Sequence, residues 1–146
     1  MKYDDASWHY GGTFPDDLPN SAGATHIAMF LTWAALNDLV GELHRTELQT
    51  DLARLKARSI TPTEWFLSAC DEKLTNEDFN EEGNAFASYY YNETADSSGL
   101  THYFADYIST FPNVESLYSV PDSWASFDQL APVIDRRLTA WRSKVG

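Results

Sequence analysis

Histidine and aspartate side chains are the residues of this sequence best suited to acid–base chemistry or metal binding. The four histidines are His9, His26, His44 and His102. No two of them have the i, i+4 spacing of a helix-borne zinc site, and the chain lacks an H-E-x-x-H motif. A site assembled from different elements stays open, combining His9 and His26 with Asp4 or Asp5. Such a site would predict a small enzyme or a ligand- or metal-binding protein. The simpler interpretation is that both histidines only form hydrogen bonds within the fold.

The other catalytic patterns argue against an enzyme. Cys70 precedes Asp71 and Glu72, and neighbouring carboxylates raise the pKa of a thiol, whereas a nucleophile needs a lowered pKa. The chain contains no G-x-S-x-G motif and no glycine-rich phosphate loop. Residues 71–82 place acids at the first and twelfth positions of an EF-hand loop, but Lys73 takes the third position and the central glycine is missing. We therefore predict no catalytic residues, no metal and no cofactor.

The acidic composition restricts the possible partners. The formal net charge is -12, and no basic face is visible that would bind nucleic acid or an anionic membrane. Eight carboxylates lie between Asp71 and Asp96, against one cation, Lys73. This segment is either a solvated acidic face or a surface that attracts a basic protein partner. The predicted partner-binding residues are Asp71, Glu72, Glu77, Asp78, Glu81, Glu82, Tyr89, Tyr91, Glu93 and Asp96.

Length and composition predict one domain spanning residues 1–146. Hydrophobic residues make up 43% of the chain and aromatic residues 14%, which is enough for one core. Because the chain has a single cysteine and no charged-then-apolar leader at its start, a cytoplasmic location is predicted. The most apolar run, residues 26–36, is shorter than a membrane span and indicates a buried helix.

Hydrophobic periodicity and capping signals predict an all-α helical bundle. Two capping boxes, T-P-T-E at 61–64 and T-N-E-D at 75–78, mark the starts of two helices. Residues 117–120 are expected to be extended, and Pro132 is tolerable only in the first turn of the last helix. Residues 1–22 are predicted to form a long irregular arm packed on the bundle. The helices are expected over about 23–39, 43–58, 62–70, 76–90, 101–110 and 128–143.

The stretch DDASWHYGGTFP, residues 4–15, is predicted to fasten this arm to the bundle. Trp8 and Tyr10 would pack near His26, and the Gly-Gly pair would let the chain turn. The two aspartates would accept hydrogen bonds from neighbouring side chains or from helix amides. On this interpretation the stretch has a structural function rather than a catalytic one.

Several long stretches of the sequence carry a family resemblance. The chain opens with KYDDASWHYGG and continues to THIAMFLTW; ITPTEWFLSACDEKLTNEDFNEEGNAFASYYY, YFADY and VPDSWASFDQLAPVIDRRLTAW follow. These stretches resemble a family of small uncharacterised bacterial proteins with the signature K-Y-D-D-A-S-W-H-Y-G-G and T-H-I-G-M-F-L-A-W. This chain differs from the signature at two positions, where it has Ala28 in place of glycine and Thr32 in place of alanine. That family has no assigned enzyme activity, so the resemblance does not point to an enzyme. Small acidic bacterial proteins of this type also resemble immunity proteins, which neutralise a cognate toxin, and this class analogy predicts a toxin inhibitor.

Overall fold

The computed structural model describes residues 1–145, which form a mostly helical protein with a small antiparallel sheet. The strands are β1 (Lys2–Asp5) and β2 (Lys73–Thr75). Short 3-10 helices cover Asn20–Gly23, Asn76–Asp78 and Leu117–Ser119. The α-helices are α1 (Ala6–Tyr10), α2 (Thr25–Leu36), α3 (Glu42–Arg45), α4 (Gln49–Lys56), α5 (Pro62–Cys70), α6 (Glu81–Tyr90), α7 (His102–Thr110) and α8 (Trp124–Val145).

Helix α2 lies at the centre of the fold, because it is apolar on almost every side. All of its residues except Leu36 are buried, and each large apolar side chain that is buried contributes about 1.5–3 kcal/mol. The helix packs mainly against α5, and also against α4 and α8. The predicted central helix is confirmed with shorter bounds, since Asn37 ends it and Asp38 adopts a φ of 58°. Despite this apolarity, no helix in the described part of the chain is both long and apolar enough to cross a membrane.

The prediction of an all-α protein with an irregular arm holds for most of the chain but is wrong at the N-terminus. Strand β1 pairs antiparallel with β2, so that Lys2 lies opposite Thr75 and Asp5 lies opposite Lys73. Helix α1 follows directly, and the Asp5 side chain caps it by accepting a hydrogen bond from the Ser7 amide at 2.9 Å. A strand this short, paired with a distant segment, leaves no periodic signal in the sequence.

Two capping boxes are present, but only one begins an α-helix. Thr61 and Glu64 cap α5 reciprocally, as the T-P-T-E motif predicts. The box at Thr75 closes only a 3-10 turn, and α6 starts further along the chain with its own cap, Asn80. The predicted start of α6 is therefore too early. Its predicted inner stripe is nevertheless buried and consists of Phe79, Gly83, Phe86 and Tyr90.

Three other segments differ from the sequence-based expectation. The helix predicted over 43–58 is divided into α3 and α4, and residues 117–120 contain a 3-10 helix instead of an extended segment. Helix α8 begins at Trp124, so Pro132 lies inside the helix and not in its first turn. Because Pro132 and Asp128 are exposed, water can reach the carbonyl group that loses its helical hydrogen bond there.

Contacts at the N-terminus position the residues of the candidate site. The Tyr3 ring packs edge-on against Phe79, and its hydroxyl donates a hydrogen bond to the Asn84 side chain at 2.7 Å. Helix α1 packs against the 3-10 turn that precedes α2. Asp4 and His9 are thereby brought against the central helix.

Candidate functional site

Three chemically active side chains converge where β1, α1 and α2 meet. His9 Nε2 lies 2.8 Å from Asp4 Oδ1 and 3.2 Å from His26 Nε2. His26 Nε2 lies 3.4 Å from Asp4 Oδ2. The structure thus brings together three of the four residues that the sequence placed in a cross-element site. The fourth, Asp5, instead caps α1 and pairs with Lys2 at 2.9 Å.

The Asp4–His9–His26 cluster is enclosed. The side chains of Asp4 and His26 are 5% and 1% exposed, and that of His9 is 14% exposed. The rings of Phe104 and Tyr118 lie beside His26, with centroid separations of 5.3 and 6.0 Å. The burial of these side chains leaves little room for a substrate, so the arrangement is more typical of a structural or ion-binding site than of an active site.

Burial and hydrogen bonding determine the charges in this cluster. Burial raises the pKa of the Asp4 carboxyl, but the neighbouring side chains of His26 and His9 hold that pKa well below its usual range. Burial lowers the pKa of His26, and the nearby Asp4 only partly opposes this effect. At neutral pH, Asp4 is therefore an anion and His26 is a neutral imidazole.

Two tyrosines and a backbone amide orient the cluster. Tyr91 donates its hydroxyl hydrogen to Asp4 Oδ2 at 2.6 Å, and the Asp5 amide donates to Asp4 Oδ1 at 2.8 Å. The Tyr118 hydroxyl lies 2.8 Å from His9 Nδ1. Sequence reasoning missed both tyrosines, because they lie 87 and 109 residues from their partners and no motif links them.

The predicted packing of Trp8 is wrong, and His9 holds α1 in its place. Trp8 is 57% exposed, and the Lys2 ammonium lies 5.3 Å from the centre of its ring. The Tyr10 hydroxyl donates a hydrogen bond at 3.0 Å to Glu72, which lies on the turn before β2. The sequence-based prediction places Tyr10 against α2 instead. Adjacent helical side chains point in different directions, and in this short helix it is His9 that reaches α2.

We expect Trp8→Ala to leave the free energy of unfolding almost unchanged. Trp8 loses only an exposed ring and one cation–π contact, which together cost at most about 1 kcal/mol. Trp65→Ala is the matched control, because Trp65 is fully buried and truncation of a buried Trp costs about 3–5 kcal/mol. Urea unfolding followed by circular dichroism measures both variants. Equal losses for the two variants would contradict the exposed placement of Trp8.

His44, Cys70 and Asp78 form a second buried polar cluster. His44 Nε2 lies 2.8 Å from Asp78 Oδ1, and Cys70 Sγ lies 3.4 Å from the same oxygen. One proton on His44 and one on Cys70 satisfy these contacts, so hydrogen bonding explains the cluster. Burial, together with Asp78, raises the pKa of the Cys70 thiol. The thiol is therefore not an activated nucleophile, which agrees with the predicted direction although a different carboxylate is the neighbour.

The predicted partner-binding residues differ in their accessibility. Glu72 and Tyr89 are half-buried, whereas Asp78 and Tyr91 are buried. Asp78 and Tyr91 therefore do not contact a partner, because their hydrogen bonds hold the two buried clusters together. The exposed residues of the set are Asp71, Glu77, Glu81, Glu82, Glu93 and Asp96.

The exposed acids lie in two groups at opposite ends of α6. Asp71, Glu77 and Glu81 lie between the end of α5 and the start of α6, whereas Glu93 and Asp96 follow its end. The ten residues of α6 rise about 15 Å along the helix axis. The segment from Asp71 to Asp96 is therefore not one continuous acidic surface.

The fold and the site define a small, mostly helical protein with an enclosed Asp–His–His cluster. The chain belongs to the family described as a domain of unknown function, DUF7832, whose model matches residues 2–120. This range contains the three clustered side chains and both supporting tyrosines, and it agrees with the resemblance to an uncharacterised family. Neither a curated protein nor a solved structure matches the chain.

Proposed function

We propose that this chain is an immunity-type inhibitor that binds a cognate toxin through acidic residues around β2. The observation that carries the proposal is a set of exposed carboxylates, which are Asp71, Glu77 and Glu81. Together with the half-buried Glu72 they are called the β2 acidic surface. Lys73, the one cation of this segment, pairs with Asp71 at 3.4 Å. Among the described residues, Glu77 and Glu81 have no ion-pair partner.

Two neighbouring residues of the predicted set are less suited to partner binding. Arg142 donates two hydrogen bonds to Glu82, at 2.8 and 3.1 Å. These hydrogen bonds lower the pKa of the Glu82 carboxyl. The charge of Glu82 is thus already paired within the chain. The ring of Tyr89 stacks on His102 at a centroid separation of 4.6 Å. Neither residue is therefore included in the β2 acidic surface.

Unpaired acids on an acidic protein favour a basic protein partner. Complementary charge raises association rates by factors of about 10 to 1000 and disfavours partners of like charge. Because exposed charges are screened by salt, the proposed complex forms more slowly as ionic strength rises. Nucleic acid is the opposite case, since the net charge of -12 repels it.

The buried reactive groups support binding over turnover. The Asp4–His9–His26 cluster is enclosed, and Cys70 is a half-buried thiol whose raised pKa keeps it protonated. An inhibitor needs an accessible recognition surface and no catalytic group. The choice of the immunity class within protein-binding proteins rests on the resemblance in size and charge described above.

Purification of the tagged chain from its native host, at low and at moderate salt, is the first test of this proposal. The expected result is one stoichiometric basic partner whose yield falls as salt rises. That partner must be toxic when it is expressed alone and harmless when it is expressed together with this chain. A partner whose toxicity persists beside this chain, or recovery of the chain without any partner, would refute the inhibitor function.

The β2 acidic surface is tested by removing two of its charges. For the double variant Glu77→Gln and Glu81→Gln, we expect the association rate with the partner to fall about tenfold at low salt. The matched control is Asp16→Asn with Asp17→Asn, which removes the same charge from two exposed residues outside this surface. Stopped-flow or surface plasmon resonance kinetics at two salt concentrations measure both. If the two double variants slow association equally, the β2 acidic surface is not the interface.

A further inference from the structure

We propose that Asp4, His9 and His26 form a binding site for a divalent transition-metal ion, with zinc as the best match to the ligands. One carboxylate oxygen and two imidazole Nε2 atoms are common zinc ligands. The three ligands come from β1, α1 and α2, so a bound ion cross-links the first ten residues to the central helix. The inference is independent of the proposed inhibitor function, because it concerns a different, buried part of the molecule.

The separations between the ligand atoms agree with those around a single ion. Bonds of 2.0–2.1 Å in a tetrahedral site place neighbouring ligand atoms about 3.3–3.4 Å apart. The Nε2 atoms of His9 and His26 are 3.2 Å apart, and His26 Nε2 lies 3.4 Å from Asp4 Oδ2. The shortest separation, from His9 Nε2 to Asp4 Oδ1, is 2.8 Å. The two distances to Asp4 involve its two different oxygens, and one ligand atom from each of the three residues lies within 4.8 Å of the other two. Small side-chain shifts therefore bring one atom from each residue around a single ion.

Hydrogen bonds alone satisfy the contacts among Asp4, His9 and His26 less well than a metal ion does. His9 Nε2 faces both Asp4 and His26, but a neutral imidazole nitrogen carries either one proton or one lone pair. If His9 donates its proton to Asp4, His26 Nε2 is left with a contact of 3.4 Å to that carboxylate, which is beyond the usual range of a hydrogen bond. A metal ion accepts the lone pairs of both Nε2 atoms and neutralises the carboxylate at once. In the second cluster, one proton on His44 and one on Cys70 satisfy both contacts to Asp78, although His44 Nδ1 has no partner among the described residues.

The surrounding hydrogen bonds match the outer shell of a metal site. Metal-bound histidines usually donate their other ring N–H to a nearby acceptor, and metal-bound carboxylates accept further hydrogen bonds. The Tyr118 oxygen lies 2.8 Å from His9 Nδ1 and can accept a hydrogen bond from that nitrogen, an arrangement that leaves Nε2 free to bind an ion. Asp4 accepts hydrogen bonds from Tyr91 and from a backbone amide. His26 Nδ1 has no partner among the described residues, so two of the three ligands have this support.

The burial of the cluster indicates a structural ion. His9 is the most accessible of the three side chains, with 14% of its surface exposed. An ion, and a water molecule as its fourth ligand, would enter from the His9 side of the cluster. Because the ligands come from three elements, binding of the ion is coupled to docking of β1 and α1.

Zinc titration of the chelator-treated full-length protein tests the proposal. Isothermal titration calorimetry is expected to show one zinc ion per chain with a Kd below about 1 μM. We expect His9→Gln to weaken binding at least about 100-fold and Tyr118→Phe to weaken it about tenfold. The matched control His102→Gln is expected to bind as the wild type does, because His102 lies outside the cluster and stacks on Tyr89. If His9→Gln does not fold, as checked by circular dichroism, Tyr118→Phe still decides the question.

Cobalt(II) spectroscopy then identifies the ligands. The expected spectrum has the visible bands of tetrahedral cobalt without a thiolate charge-transfer band, because Cys70 is not a ligand. A thiolate band would assign the ion to the cluster of His44, Cys70 and Asp78 and overturn the proposal. So would the absence of stoichiometric zinc binding, or equal weakening by His9→Gln and His102→Gln. None of these results depends on whether a toxin partner exists, so the two proposals can fail separately.

Discussion

Replacement of Asp4 by alanine is expected to lower the free energy of unfolding by about 3–5 kcal/mol, because it removes the anion at the centre of a buried network. Asp4 accepts hydrogen bonds from His9 at 2.8 Å and from Tyr91 at 2.6 Å, and it is 4% exposed. Alanine leaves both donors buried without an acceptor, and each such group costs about 1–3 kcal/mol. The loss affects three parts of the fold, because Asp4 lies on β1, His9 lies on α1 and Tyr91 directly follows α6.

Asp5→Ala is the matched control for this substitution. Asp5 is equally buried, at 4% exposed, and is adjacent in sequence, but it serves only as the cap of α1 and as the partner of Lys2. Loss of such a cap costs about 1 kcal/mol. Urea unfolding in the presence of a chelator measures both variants without any contribution from a bound ion. Losses of the same size would show that Asp4 is not the centre of the network.

The substitution Gly83→Ala is expected to destabilise the protein by about 2–3 kcal/mol, although alanine is the better helix former. A Cβ atom at Gly83 would overlap the Leu39 carbonyl oxygen and would lie 3.1 Å from the Phe79 Cβ. The first contact involves backbone, so α6 must move away from the segment that follows α2. This displacement also disturbs the hydrogen bond from the Asn80 amide to the same Leu39 oxygen, which is 3.0 Å long.

Ser88→Ala on the exposed side of the same helix isolates the steric effect. Ser88 is exposed, so its replacement changes helix propensity without a new contact, and we expect a change within about 0.5 kcal/mol. Thermal and urea unfolding of the two variants give the comparison. If Gly83→Ala stabilises the protein by as much as helix propensity alone predicts, then α6 does not approach Leu39 as closely as described.

The two proposals concern separate parts of the molecule. The proposed metal site is formed by buried side chains and acts on stability, whereas the β2 acidic surface is formed by exposed carboxylates and acts on association. Neutralising Glu77 and Glu81 therefore leaves zinc affinity unchanged, and His9→Gln changes zinc affinity while the exposed acids stay in place. Each property can thus be measured in a variant that retains the other.

Local signals in the sequence determined most of the helical structure. The T-P-T-E motif predicts the start of α5, because its side-chain and backbone partners lie within four residues. The apolar run at 26–36 predicts a central helix, since a segment that is apolar all round is stable only when it is enclosed. The helix predicted over 101–110 is observed as α7 with Thr101 as its cap. Each of these features depends on interactions between residues that are close in the chain.

The tertiary structure alone decided which of the reactive and acidic residues act together. The sequence predicted packing for Trp8 and surface exposure for Tyr91, and the structure reverses both, because the direction of a side chain depends on which distant elements pack around it. The same reason explains the pairing of β1 with β2 and the two acidic groups at the ends of α6. By itself the sequence determined the charge of -12, the amphipathic helices and three of the residues of the candidate site. The two tyrosines that hold these residues in place lie 87 and 109 residues from their partners, and no local pattern encodes such contacts.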